Sequence, residues 1–366
     1  MVDQNDIARV VAEKLPPGFS VTAVGQIRRV TVIRIEGVDI GAQLDIRSLL
    51  SALEEESLDA SWNRDSTGAT LLRIKRGSKS KIPWKHLILF LVTVLTVLIF
   101  PSYYRYLFLV STESTIAAPV GLLDWISRSE LWDIGWGLNF AGWLMGILLA
   151  HEFGHYFAGV RRKIKVTLPF FIPAPTQLGT FGAVIRFKSP IENRRDLIEV
   201  GAAGPIAGFI VAVIAVWIGL LQTDPTSRGL FSFEYESILM SFLGDMMFGD
   251  SLGPSVDLAP AAFAGWVGLL VTALNLLPIS QLDGGHIVYG MFGKKQRLVA
   301  YFTMAGLFLA GFYWPGWWFY GFLAVFFGPF HGPTLDDQIP VSSNAKVMGW
   351  ISIIIFALTL NLRPFG

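Results

Sequence analysis

The sequence predicts a polytopic α-helical membrane protein with a membrane-associated β segment, preceded by a small soluble α+β domain. Of its 366 residues, 52% are hydrophobic and only 16% are charged, which is too apolar for a soluble globular chain. Long uncharged runs occupy most of the chain after residue 83, whereas residues 1–80 contain only shorter apolar patterns. We therefore expect a soluble cytoplasmic domain over residues 1–80 and a membrane-embedded domain over residues 81–366.

Residues 1–80 show the periodicities of a mixed α+β module. Alternating apolar residues predict strands, and apolar residues three or four apart predict helices. Helical patterns lie near Ile7–Leu15 and Leu49–Leu53, and strand patterns over Ser20–Val24, Val30–Ile35 and Ala69–Ile74. We expect two helices and about four strands. This domain is also the expected binding site for a regulatory partner.

The uncharged runs predict six or seven membrane crossings. A helix needs about 20 residues to cross a bilayer. The run from Leu298 to Phe330 is too long for one crossing, and Pro315-Gly316 predicts two short helices joined by a tight turn. The other runs are Leu87–Tyr104, Ile134–Ala150, Val200–Thr223, Leu258–Leu282 and Val347–Leu362.

The distribution of Lys and Arg predicts the orientation of these crossings. Residues 159–196 carry eight Lys and Arg against two acids, whereas residues 222–257 carry six acids against Arg228. We expect the first segment on the cytoplasmic side and the second outside, with the amino terminus in the cytoplasm. The predicted location is a prokaryotic cell membrane, with the catalytic site toward its cytoplasmic side.

The segment His151-Glu152-Phe153-Gly154-His155 carries the strongest chemical signal. On a helix, residues four apart share a face, so both imidazoles can bind one Zn²⁺ while Glu152 faces a water molecule. The sequence contains no Cys, so the remaining zinc ligands must come from His or carboxylate side chains. The alternative is a structural His pair, but ionisable groups beside a membrane span usually have a function.

A second polar motif, Asn275 to Gly285, closes the fourth uncharged run. Pro278 predicts a helix end, and Asp283 followed by two glycines predicts a turn that directs a carboxylate back into the bundle. The predicted topology places Asp283 at the same membrane depth as the two histidines. Because catalytic zinc usually has three protein ligands, Asp283 is the candidate for the third.

These two motifs resemble the site-2 protease family of intramembrane zinc metalloproteases, in the archaeal, cyanobacterial and chloroplast branch without a PDZ insertion. The resemblance implies one Zn²⁺ per chain, bound by His151, His155 and Asp283, with Glu152 as general base. It also implies an oxyanion or substrate contact for Asn275. The implied activity is an endopeptidase that cleaves transmembrane segments of protein substrates within the lipid bilayer.

The strand-like segment that begins at Gly179, Thr180, Phe181 and Gly182 is the predicted substrate-binding element. Its backbone edge can pair with an extended, locally unwound substrate. The glycines at 201, 204 and 208 are expected to let two membrane helices pack closely.

Several polar and aromatic residues have simpler interpretations than a second site. His286 is expected to be a hydrogen-bonding neighbour of the metal ligands or an interfacial residue. His331, Asp336 and Asp337 are expected in a solvated loop. An aromatic belt at the outer interface is expected to contain Trp314, Trp317, Trp318 and Tyr320.

The alternative function is a transporter or channel with a structural metal. The absence of an obvious inverted repeat speaks against it. The net charge of +1 gives no reason to expect a nucleic-acid partner.

Overall fold

The computed structural model describes residues 4–27, 30–37, 48–49, 52–53, 58–64, 69–76, 83–112, 121–128, 133–227, 229, 231, 237–251, 256–279 and 282–363. The chain divides into two compact units, Met1–Trp84 and Lys85–Gly366. Ser280 and Gln281 of the second motif and Arg228 of the predicted outer segment lie outside the described residues.

The described part of the first unit is a helix on one face of an antiparallel sheet. Every second residue of the two central strands is buried, which explains the period of two in the sequence. Ile33, Ile35, Leu72 and Ile74 form a core with Ile7 and Val11 of the helix and with Leu49 and Leu53. The elements are α1 (Gln4–Lys14), β1 (Phe19–Ile27), β2 (Val30–Gly37), β3 (Leu58–Arg64) and β4 (Thr70–Arg76), in the sheet order β1-β2-β4-β3.

The second unit is mostly helical. Within the described residues, three helices are long and apolar enough to cross a membrane, and several shorter apolar helices accompany them. The chain is therefore an integral membrane protein. The helices are α2 (Trp84–Thr112), α3 (Leu122–Ser127), α4 (Ile134–Arg161), α5 (Arg194–Leu220), α6 (Ile238–Phe248), α7 (Pro260–Asn275), α8 (Asp283–Phe292), α9 (Gln296–Ala310), α10 (Gly316–Phe327) and α11 (Ser343–Thr359).

Helix α5 packs between α4 and α7, and small residues bring these backbones together. A side chain at Gly219 or Gly265 of this interface would overlap the facing helix. Small residues at contact points are the usual way in which membrane helices approach closely. The large buried side chains Phe140, Leu144 and Ile147 of α4 fill the adjacent core.

A short hairpin, β5 (Phe170–Pro173) paired with β6 (Thr180–Val184), lies between α4 and α5 in the sequence. The hairpin is attached to α2 by two contacts. The His86 Nδ1 atom lies 2.9 Å from the carbonyl oxygen of Pro169. The rings of Phe90 and Phe171 meet edge to face. Gly179, with φ of 74°, packs against the α2 backbone at Thr96.

The structure corrects several predictions around the shorter helices. The predicted turn at Asp283-Gly284-Gly285 is wrong, because Asp283 is the first residue of helix α8. The Leu258–Leu282 run is a helix only over Pro260–Asn275, and the predicted outer segment contains the apolar helix α6.

The long run near the carboxyl end is divided into α9 and α10 at Pro315-Gly316, as the proline and glycine predict. The predicted aromatic belt is wrong for Trp317. Its side chain is only 1% exposed, and its indole Nε1 donates a hydrogen bond to the Leu362 carbonyl at 2.8 Å.

Candidate metal centre

His151 and His155 lie one turn apart on the buried face of α4. The uninterrupted helix from Ile134 to Arg161 places both rings on one side, where they are 4% and 5% exposed. The spacing of four in the sequence therefore produces a buried pair of imidazoles that face the same point.

Asp283 completes a triangle of ligand atoms. Its Oδ2 lies 3.2 Å from Nε2 of His151 and 3.2 Å from Nε2 of His155, and the two Nε2 atoms are 3.1 Å apart. Ligands at about 2.0–2.1 Å in a tetrahedron around one cation are separated by roughly 3.3 Å. The triangle thus has the size of one face of a tetrahedral coordination sphere, and these residues are the candidate metal ligands within the described chain.

The neighbouring backbone orients the His155 ring for coordination. His155 Nδ1 lies 2.7 Å from the carbonyl oxygen of Val200 in α5. A carbonyl oxygen only accepts, so Nδ1 carries the proton and Nε2 presents a lone pair to the triangle. This arrangement is typical of a metal-bound histidine.

Glycines on α5 and α8 make room for the three ligands. A methyl group at Gly204 would overlap the His155 ring, and one at Gly208 would lie 3.1 Å from His151 Nδ1. A methyl group at Gly284 would overlap the Leu276 carbonyl, so glycine lets the start of α8 lie against the end of α7. The α5 glycines therefore pack closely against α4, as predicted, and leave the space that the two imidazole rings occupy.

A cavity of about 150 Å³ opens beside the triangle. Glu152 and Asn275 line it together with the three candidate ligands. Glu152 is 4% exposed, and the backbone N–H of Ile185 interacts with its carboxylate. Asn275 Nδ2 lies 3.4 Å from His151 Nε2.

The predicted substrate segment Gly179–Gly182 forms the end of the hairpin turn and the start of β6, and its residues do not line the cavity. The Thr180 hydroxyl donates to the Ile172 carbonyl at 2.9 Å, and Phe181 is 70% exposed. Gly182 has a φ of 92° with open space around it. The cavity is lined by the residues that follow, namely Ala183, Val184, Ile185 and Phe187.

The loop predicted at His331 is present, but its polar side chains also make specific contacts. His331 Nε2 lies 2.7 Å from Nδ1 of His286, which lines the cavity, and the Tyr289 hydroxyl donates to Asp337 at 2.6 Å. No local sequence pattern indicates this pairing, because 45 residues separate the two histidines.

A comparison with protein-family models matches residues 139–312 to Peptidase family M50. The match contains both polar motifs and all three candidate ligands. The matched residues, just under half of the chain, are similar to a peptidase family M50 domain. The resemblance to the site-2 protease family is thereby confirmed.

Two plant proteins are among the curated proteins similar to this chain. The probable zinc metalloprotease EGY1, chloroplastic, of Arabidopsis thaliana is 35% identical over 239 residues, which cover 59% of this chain and 41% of that protein. The probable zinc metalloprotease EGY2, chloroplastic, of the same plant is 37% identical over 235 residues, which cover 60% and 41%. The matched segments therefore span about two-fifths of the length of these relatives.

Proposed function

We propose that this chain is a zinc metalloendopeptidase that cleaves membrane-spanning segments of protein substrates. The observation that carries the proposal is the buried triangle of His151, His155 and Asp283, next to the carboxylate of Glu152 in one cavity. The M50 match and the names of the plant relatives support the same reaction class.

The donor set fits zinc. Two neutral imidazoles and one carboxylate form a three-ligand set that leaves a fourth position open, as catalytic zinc requires. The Val200 carbonyl is the hydrogen-bond partner that a coordinating His155 needs. Zinc bound there supplies Lewis-acid polarisation of a peptide carbonyl and acidifies water.

The side chains around the triangle have the roles that peptide hydrolysis requires. The Glu152 carboxylate accepts the proton of the attacking water and delivers it to the nitrogen of the leaving amine. The Asn275 amide donates from Nδ2 toward the developing oxyanion. Burial of Glu152 keeps bulk water away from the carboxylate, which strengthens both interactions.

The hairpin supports a role in holding an extended substrate. Within the described residues, β5 and β6 form a two-stranded sheet, and the segment from Ala183 to Phe187 leads from β6 along the cavity. An unwound substrate needs hydrogen-bond partners for its backbone at membrane depth, and a strand edge provides them. Gly179 and Thr180 fix the turn of the hairpin, and the residues after Gly182 contact the substrate.

In the proposed orientation the metal ligands lie toward the cytoplasmic side or the equivalent compartment, and the basic residues between α4 and α5 support this orientation. A prokaryotic cell membrane gains no support from the comparisons, since the similar curated proteins are named as chloroplastic. The first unit is proposed to bind a regulatory partner. The transporter alternative is not favoured, because the polar groups converge on one cavity with a peptidase motif.

The test is cleavage of a panel of single-span membrane proteins by the full chain in liposomes, compared with Glu152→Gln. We expect cleavage inside or next to the span by the native chain, and a loss of at least about 10²-fold in the variant, the typical size of a general-base effect. Equal cleavage by the two proteins would refute the proposal. Metal-dependent solute flux with no cleavage would favour the transporter.

A further inference from the structure

The cavity contains one more polar side chain for which the metal chemistry gives no role. His286 lies one turn after Asp283 on α8 and lines the cavity together with the candidate ligands. Its ring faces Phe187 across the cavity, with the ring centroids 6.4 Å apart. Behind it, Gly201 of α5 packs closely, since a methyl group there would lie 3.1 Å from the His286 Cβ, nearer than an ordinary contact.

A chain of hydrogen bonds fixes which nitrogen of His286 carries its proton. His331 Nδ1 faces the Gly332 carbonyl oxygen, which only accepts, so this Nδ1 is protonated. Burial lowers the pKa of His331, so the ring is neutral and its Nε2 has a free lone pair. That lone pair accepts from His286 Nδ1–H at 2.7 Å.

His286 therefore presents a hydrogen-bond acceptor to the cavity. Burial and the neighbouring His331 lower the pKa of His286 to about 4, so the ring is neutral as well. With the proton on Nδ1, its Nε2 has a lone pair and no hydrogen-bond partner among the described residues.

The loop that carries His331 is held in place from three sides. Gln296 at the start of α9 donates to the Pro329 carbonyl and accepts from the His331 N–H, both at 3.2 Å. Tyr289 of α8 donates to Asp337 at 2.6 Å, and the Asp336 N–H donates to the Glu192 carbonyl at 2.7 Å. The imidazole pair is thus a fixed part of the cavity.

We propose that His286 is a substrate-positioning residue whose Nε2 accepts a hydrogen bond from a main-chain N–H of the unwound substrate, and that His331 sets its tautomer. This proposal rests on the proposed peptidase function. An unwound segment exposes N–H groups that need acceptors at membrane depth, since an unsatisfied one costs several kcal/mol. Glu152 is engaged with the attacking water, so His286 Nε2 adds a side-chain acceptor to the backbone acceptors of the hairpin edge.

The test measures binding and turnover separately, with a single-span peptide that the native chain cleaves. Binding is measured in liposomes by fluorescence anisotropy of the labelled peptide, in the Glu152→Gln background where it is not cut. We expect His286→Phe to weaken binding about tenfold, the loss of roughly one hydrogen bond. His286→Gln, which restores an acceptor, should recover part of this loss.

The His331 variants test the coupling between the two rings. His331→Phe should also weaken peptide binding. The double variant that carries both His286→Phe and His331→Phe should bind the peptide no more weakly than His286→Phe alone. The matched control is Tyr289→Phe, which removes one loop contact on the same helix and should change binding less than about twofold. All variants should retain the zinc content of the parent.

A spectroscopic measurement checks the tautomer directly. The chain contains five histidines, so ¹⁵N-labelled histidine gives few signals to assign in detergent. We expect Nδ1–H for His286 in the parent and a shift of this signal in His331→Phe. An Nε2–H tautomer would overturn the proposal.

Two outcomes separate this inference from the proposed function. If the native chain cleaves and Glu152→Gln does not, but His286→Phe binds like its parent or loses zinc, the inference alone is overturned. If the native chain and Glu152→Gln do not differ in cleavage, the proposed function fails and the inference fails with it.

Discussion

The interface between α4 and α5 predicts that Gly154→Ala damages the metal centre while a neighbouring glycine tolerates the same change. A methyl group at Gly154 would lie 2.5 Å from the Ala203 carbonyl oxygen and 3.0 Å from the Gly204 Cα. Both neighbours are backbone atoms and cannot rotate away. Gly142 and Gly146 on the same helix have no atoms within 4 Å of the added methyl group.

The size of the effect follows from these distances. Ordinary contacts begin near 3.4 Å, so α4 and α5 must separate locally by about 0.9 Å. Metal–ligand distances tolerate only about 0.2 Å. Overpacking at the α4–α5 interface costs Gly154→Ala about 1–3 kcal/mol. The replacement of a helical glycine by alanine gains about 1 kcal/mol in helix propensity, and this gain is the same for a control variant at Gly142 or Gly146. We therefore expect a loss of about 10- to 100-fold in zinc affinity for Gly154→Ala.

The assay is zinc retention against a competing chelator, read by elemental analysis of purified protein in detergent, together with cleavage in liposomes. Gly146→Ala is the matched control and should keep native zinc affinity and activity. Equal zinc affinity for Gly154→Ala and Gly146→Ala would refute the reasoning from the helix interface.

Three further predictions concern other parts of the second unit. Asp283→Asn removes the carboxylate ligand and should lower zinc affinity more than tenfold in the same chelator competition; native affinity would exclude Asp283 as a ligand. Gly179→Ala forces an L-residue into positive φ against the α2 backbone, so it should lower cleavage at least fivefold while zinc is retained. Gly306→Ala places its methyl group in open space and should leave cleavage unchanged. Trp317→Ala should destabilise the fold by about 3–5 kcal/mol in chemical denaturation, while Phe312→Ala, at an 80% exposed site, should cost under about 1 kcal/mol; similar losses would contradict the buried role of Trp317.

The grouping of the candidate metal ligands is predictable from the sequence. The spacing of His151 and His155 places both on one helical face, and the charge distribution puts Asp283 at the same depth. The local structure at Asp283 was predicted wrongly as a glycine turn. Gly284 is not part of a turn; the absence of a side chain there lets the start of α8 contact the end of α7.

The residues that sequence reasoning missed depend on contacts between distant segments. His331 meets His286 only because the loop after α10 folds back on α8. Trp317 is buried because it packs in a core with Leu277 and Ile279 from a distant segment, and the local pattern of exposed aromatic residues hides this contact. Strand β3 has the period of two of a strand, with Leu58, Ala60 and Trp62 alternating with polar residues, but Asp59 and Asn63 have low strand propensity.

The most direct test of the central claim is a titration of zinc against activity. The full chain in liposomes is stripped with a chelator and reloaded in steps, while bound zinc per chain and cleavage of one single-span substrate are measured on the same samples. Cleavage should rise in proportion to occupancy and reach its maximum near one zinc per chain, with Glu152→Gln binding the same zinc and cutting nothing. Cleavage that persists after zinc removal, or that is unaffected by Glu152→Gln, would contradict the account.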